Sequence, residues 1–396
     1  MERDQASKFM FDLLRLMVSK KGSDLFITAG FPPAIKIDGK MTPVSAQALT
    51  PAHTADLARS IMNDKQTASF EQTKEANFAI SPGDLGRFRV SAFVQMSCVG
   101  MVLRTINSSI PEFDDLGLPP VLKDVIMSKR GLVIMVGATG SGKSTTLASM
   151  VDMINEERHE HILTIEDPIE FLHNHKSCVV NQREVAADTH SFASALRTAL
   201  RQDPDVVLVG EMRDLETIEM ALRIAETGHL TFATLHTNSA YSTINRIIDV
   251  FPSGQQSQIR TQLSLVLEGI MCQALLPKAS GDGRVMALEI LVPNAAIRNL
   301  IREDKIHQIY SMMQTGQDKF GMQTFNQALA SLYHKRQITL EAAMQRSSNA
   351  DELKELIERG SGLNETYTGQ TKPVAPGAHA SPYAAGRPVG SRPPVR

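Results

Sequence analysis

Apolar residues recur at Phe9, Leu13, Leu16 and Met17, the spacing of one face of an amphipathic helix. Leu25-Phe26-Ile27 and Ile35-Lys36-Ile37 read as two short strands, with Pro32-Pro33 and Asp38-Gly39 as turn signals. A helical stretch follows near Ala52 to Met62. From Arg87 to Val94 polar and apolar residues alternate, as in a half-buried strand, and Val99 to Leu103 is its candidate partner. Residues 1–106 therefore read as a small α+β domain. Residues 107–118 break both periods and read as an interdomain linker. Pro119-Pro120 then opens a helix, because proline is tolerated in a first helical turn.

Beyond residue 131 the pattern changes to strand-helix alternation. Leu132–Val136, Ile162–Ile165, Val206–Val209 and Leu230–Thr234 are short apolar runs, with helical periodicity near 143–155, 191–201 and 214–226. Such alternation predicts a parallel sheet with helices on both faces, an α/β domain over 119–293. From 294 to 360 the pattern is wholly helical. Residues 361–396 hold six prolines, many Gly, Ala and Ser, and almost no large aliphatics. That composition predicts disorder, since ordering costs about 1–2 kcal/mol per residue and little burial offsets it.

The 396 residues carry a formal net charge of −2, which argues against an obligate nucleic-acid binder. Three scattered cysteines, Cys98, Cys178 and Cys272, form no CxxC pair, so a zinc ribbon is not expected and packing roles in a reducing compartment are. The first helix contains Asp12 and Arg15, unlike a signal-peptide core, and no run approaches the ~18–20 apolar residues of a membrane span. These features predict a cytoplasmic protein.

Gly137-Ala138-Thr139-Gly140-Ser141-Gly142-Lys143-Ser144 fits the pattern Gly-x4-Gly-Lys-Ser/Thr, with Thr145 beyond it. It follows a strand and opens a helix, the context a phosphate-binding loop requires. The glycines let backbone N–H groups approach a polyphosphate, and the helix N-terminus adds partial positive charge. Lys143 is expected on the β- and γ-phosphates of ATP, and Ser144 on Mg2+. Thr164-Ile165-Glu166-Asp167-Pro168-Ile169-Glu170 ends another strand, at the carboxyl edge where α/β sheets bind ligands. Glu166 there is the candidate general base. Asp205 to Glu211 is an apolar strand ending in an acid, although Gly210 stands where an aspartate is usual. Glu211 is expected to hold Mg2+ through water, and Asp203 and Asp205 to be structural. His229 and His236 flank the strand at 230–234. His236 is the candidate γ-phosphate sensor, and His229 a candidate bridge to a neighbouring subunit.

These four blocks, in this order, resemble the secretion-type ATPases. They correspond to that family's Walker A, Asp, Walker B (Leu200 to Asp214) and His (Thr227 to Asn238) boxes, over about residues 5 to 360. Within the family, Ala296 to Glu303 resembles the distinguishing helix of the type IV pilus retraction branch (PilT-like). Ile297, Leu300 and Ile301 would pack inward there, with Arg298, Arg302 and Glu303 facing out. Asn77–Ile80 and Gly86–Phe93 also resemble the retraction-accessory branch (PilU-like). The resemblance implies a PAS-like first domain, a RecA-like second domain and a homohexamer. It also implies an inner-membrane pilus platform protein as partner, and a paralogous retraction ATPase as a second. Positive groups missing from one P-loop domain would come from Arg87 and Arg89, which share a strand face, or from Arg284. The rival reading within the family is an assembly or secretion ATPase, whose longer N-terminal region and four-cysteine zinc motif are not seen in this sequence. A DNA-translocating motor is a reading of another class, and would bind DNA in a salt-sensitive way.

Overall fold

The computed structural model describes residues 1–37, 39–106 and 109–360. The reading of residues 361–396 as disordered, and part of the turn and linker readings, lie outside the described residues.

The first domain begins with α1 (Arg3–Ser19), followed by β1 (Asp24–Ile27), β2 (Ala34–Ile37) and β3 (Lys40–Pro43). Two helices come next, α2 (Pro51–Ser60) and α3 (Asp64–Thr73), and then β4 (Glu75–Ile80), β5 (Arg87–Gln95) and β6 (Cys98–Ile106). The six strands form one antiparallel sheet in the order β3-β2-β1-β6-β5-β4. α1 buries Met10, Leu13, Leu14 and Met17, while Phe9 stays exposed, so its inward face is turned slightly from the one expected. That face meets Leu57 of α2 and Phe88, Val90 and Leu103 of the sheet. Each fully buried aliphatic or aromatic side chain contributes roughly 1.5–3 kcal/mol. The alternation along β5 is therefore Phe88, Val90 and Ala92 inward, with Arg87 and Arg89 on the opposite face.

The second domain begins with α4 (Val121–Ile126), β7 (Gly131–Val136), α5 (Lys143–Glu157), β8 (His161–Glu166) and β9 (Val179–Glu184). It continues through α6 (Phe192–Ala199), β10 (Val206–Val209), α7 (Leu215–Glu226), β11 (Leu230–Leu235), α8 (Ala240–Asp249) and α9 (Ser253–Val266). β12 (Leu267–Pro277) and β13 (Arg284–Leu291) complete the sheet. Its order is β13-β12-β7-β11-β10-β8-β9, parallel throughout except for β13. The antiparallel edge was not expected from the sequence.

β7 shows why a doubly covered strand reads as an unbroken apolar run. Leu132, Ile134 and Val136 pack with α6 to α9 on one face, and Val133 and Met135 pack with α4 and α5 on the other. The remainder is helical: α10 (Ala295–Arg302), α11 (Ile309–Thr315), α12 (Gln317–Phe320), α13 (Phe325–His334), α14 (Leu340–Arg346) and α15 (Ala350–Glu358). α13 to α15 bury Leu329, Leu332, Ala343 and Leu353 against Ala274, Leu276 and Ala287 of β12 and β13. No helix among the described residues is long and apolar enough to cross a membrane.

Candidate active site

The carboxyl ends of β7, β8, β10 and β11 meet at a cavity of about 530 Å³. Its lining includes Ala138 to Thr145 from the loop after β7, Glu166 from β8, and Gly210 and Glu211 after β10. His236 comes from the turn after β11, and Arg89, Thr105 and Ile106 from the first domain.

The loop geometry depends on glycine. Gly137 has φ +145°, and a Cβ there would lie 2.3 Å from the Gln273 carbonyl oxygen of β12. Gly142 has φ +88° and caps the start of α5 in a left-handed conformation. The Gln273 side-chain amide donates to the Ser141 carbonyl at 2.9 Å and so braces the loop from beneath. Lys143 donates to the Gly137 and Ala138 carbonyls, the latter at 3.1 Å. Burial pushes its ammonium below the ordinary lysine range, with Glu211 opposing that shift. The side chain of Ser141 is buried with its hydroxyl unpartnered among the described residues. Backbone N–H groups of a glycine-rich loop at a helix N-terminus, with a lysine folded onto the loop carbonyls, suit a polyphosphate.

Glu166 and Glu211 reach the cavity from parallel neighbours. The Gly210 N–H donates to the Ile165 carbonyl at 2.8 Å, which brings Gly210 beside Glu166. A Cβ on Gly210 would sit 3.1 Å from the Glu166 Cα. The close approach of the two strand ends favours a small residue at 210, where an aspartate is usual, with the acid one residue later. The Thr234 hydroxyl of β11 donates to the Gly210 carbonyl, and the Met212 N–H to the Thr234 carbonyl at 3.0 Å. Glu211 is thus anchored between two strands.

The two acids differ electrostatically. Burial pushes Glu166 above the usual carboxylate range, against hydrogen bonds from Thr164 at 2.6 Å and Gln182 at 3.2 Å. Burial acts on Glu211 in the same direction but is overcome by Arg213 at 2.6 Å and His236 at 3.3 Å, leaving its carboxyl lowered. A carboxylate kept ionised and half-buried suits a hard divalent cation. Glu289 on β13 accepts from the Ala240 N–H at 2.6 Å and so holds the start of α8, just past the His236 turn.

Not every expected residue converges here. His229 precedes β11, at the amino edge of the parallel sheet, and its ring lies against the Ile224 carbonyl at 3.0 Å. It is not part of this chain's cavity. Arg284 opens the antiparallel edge strand opposite Pro277 and does not line the cavity either. Arg87 and Arg89 separate in role: Arg89 lines the cavity, whereas Arg87 forms a 2.8 Å ion pair with Glu184 of the second domain. Asp205 accepts from the His161 N–H at 2.9 Å, at the far strand end as expected.

On α10, Ile297 and Ile301 are fully buried, Leu300 is half-buried, and Arg302 and Glu303 are exposed. Arg298 does not face freely outward. It donates to the Ser264 carbonyl at 2.8 Å and to Glu268 at 3.1 Å, closing the end of α9. No local sequence pattern marks the contributions of Thr164, Gln182 and Gln273, because each depends on strand register.

A Walker-type loop, two acids and a histidine on one sheet edge define a P-loop nucleotide hydrolase. The family profile described as "Type II/IV secretion system protein" matches residues 18–345. The type IV pilus ATPase PilU of Pseudomonas aeruginosa is 48% identical over 349 residues, covering 88% of this chain and 91% of that protein. The type IV pilus retractation ATPase PilT of the same organism is 49% identical over 336 residues, covering 85% and 97%. A crystal structure of the pilus retraction motor PilT with bound ADP superposes with a TM-score of 0.82 at 51% identity, covering 87% of this chain and 98% of that one. The Legionella pneumophila ATPase DotB gives 0.77 at 28% identity, covering 86% and 95%. The chain belongs to the type II/IV secretion system protein family and, within it, to the type IV pilus ATPases of the PilT and PilU kind.

Proposed function

We propose that this chain is a mechanoenzyme that uses ATP hydrolysis to retract type IV pilus fibres. The observation that carries this reading is the cavity's double origin. Its phosphate loop, acids and His236 come from one domain, while Arg89, Thr105 and Ile106 come from the other. A nucleotide held there touches both bodies, so its binding and release bear on the angle between them.

Lys143 turns from its loop carbonyls to the β- and γ-phosphates when the substrate enters. Glu166, with its raised pKa, accepts a proton from the attacking water, since a base near operating pH is most effective. Glu211, with its lowered pKa, stays ionised and keeps His236 oriented toward the terminal phosphate. Environments that push two acids apart are how such roles are divided. Ser144 and Glu211 would hold Mg2+, which neutralises developing phosphate charge. Arg89 offers positive charge from the first domain. The working form is a homohexameric ring on the cytoplasmic face of the inner membrane, acting on the pilus platform protein, with His229 facing a neighbouring subunit. No nucleic acid is required.

Lys143→Ala should abolish ATP turnover and retraction; normal turnover in that variant would remove the cavity from the mechanism. Nearly equal identity to PilU and PilT supports a second reading, an accessory that assists a paralogous retraction ATPase. Deletion in the host separates the two. Excess pili without surface movement mark a primary retraction motor, and unchanged pilus numbers mark the accessory.

A further inference from the structure

Gln182 lies outside every motif considered above, yet its side chain makes three hydrogen bonds behind the cavity. The parallel register of β8 and β9 sets it opposite Thr164. Alternation then places Thr164, Gln182 and Glu166 on one face of the sheet. The Gln182 Nε2 donates to the Glu166 Oε1 at 3.2 Å, and the Thr164 hydroxyl donates to the same oxygen at 2.6 Å. Gln182 is itself pinned: its Nε2 also donates to the Phe171 carbonyl at 2.9 Å, and its Oε1 accepts from the His173 N–H at 2.8 Å. Both partners belong to the loop that follows Glu166, and both line the cavity.

We propose that Gln182 is the positioning residue of the hydrolytic base, fixing the Glu166 carboxylate so that Oε2 is presented to the attacking water. The inference rests on Glu166 being that base. Two donors fix Oε1 and the Glu170 N–H lies against the same carboxylate, which together set its plane and leave the remaining lone-pair capacity of Oε2 for water. The two loop anchors make Gln182 a rigid donor, because its amide cannot rotate away from Glu166 without losing the His173 bond. Positioning of this kind matters because a displacement of about 1 Å can cost ~100-fold in rate. Gln182 also favours the ionised form of Glu166, since a donor to a carboxylate stabilises the charge.

The test is steady-state ATP hydrolysis against pH for wild type, Glu166→Gln, Gln182→Ala and Gln182→Glu in the full-length assembled protein. Gln182→Ala should lower kcat about ten-fold or more at unchanged KM for ATP. It should also move the acid limb of the kcat profile to higher pH, because Glu166 loses a donor to its charged form. Gln182→Glu is the same size and still accepts from the His173 N–H, so it covers the case in which the alanine variant fails to fold. It replaces the donor with a second acid, and should raise the acid limb further. Gln182→Ala placed on Glu166→Gln should cost nothing more. The inference is overturned if Glu166→Gln is inactive while both Gln182 variants keep wild-type kcat and acid limb. It is also overturned if KM rises in step with the loss of kcat and the limb stays put. Normal turnover by Glu166→Gln would sink the base assignment, and this inference with it.

Discussion

Gly210 and Glu166 lie side by side at parallel strand ends, where a Cβ on the first would approach the Cα of the second to 3.1 Å, tighter than most Cβ contacts. Gly210→Ala should therefore displace Glu166 while leaving the phosphate loop intact. Overpacking of this kind costs about 1–3 kcal/mol. A fall in kcat with little change in KM is expected, along with a lower unfolding temperature. Wild-type values for both would show that the strand ends part freely.

The phosphate loop makes a sharper prediction. At Gly137 the φ of +145° and the 2.3 Å approach to a backbone carbonyl leave no flexible atom to yield. Gly137→Ala should abolish binding of a fluorescent ATP analogue and destabilise the fold by roughly 1–3 kcal/mol. Retained affinity would refute the geometry of the loop.

Arg298 tests the role of α10. Its bonds to the Ser264 carbonyl and Glu268 tie the helix to the end of α9. Arg298→Ala should lower stability by about 1–3 kcal/mol, since a half-buried charged hydrogen bond is lost. ATP turnover below the unfolding transition should persist. A variant as stable as wild type would show that Arg298 is free to serve a partner instead.

The Glu211–Arg213 pair gives a pH signature. The carboxyl is held below its ordinary range, so the stability it contributes is present at neutral pH and lost as pH falls through the folded-state pKa. Arg213 is largely exposed, which limits the effect to about 0.2–1 kcal/mol. Arg213→Ala should be less stable than wild type in urea at pH 7, and the gap should close below the carboxylate range. A gap independent of pH would place the effect elsewhere.

The features that could be read in the sequence were those contiguous along the chain. Gly137 to Ser144 carries its strand, turn and helix in one stretch, and Glu166 and Glu211 each end an apolar run. β12 carries no continuous apolar signal because Glu268, Gly269, Cys272 and Gln273 interrupt it, although all but Glu268 are buried on a doubly covered strand. Gln182 and Gln273 matter only through neighbours supplied by other strands, which no local pattern encodes. His229 and His236 flank one strand in the sequence, and the six residues of β11 set them at opposite edges of the sheet, as that reading requires. Arg284 had no periodicity to give it an address. For Gly210 the departure from the usual acid is visible in the sequence, and the close approach of two parallel strand ends that accompanies it is not.

The Glu184 carboxylate receives both the Arg87 guanidinium at 2.8 Å and the Ile169 N–H at 3.2 Å. One oxygen thus serves as a common hinge pin for the amino-terminal sheet and for the segment that carries Asp167 and Glu170. A displacement of the first sheet would either break that ion pair or carry the segment with it. The two domains are therefore joined, beside the cavity, through a linkage two side chains long.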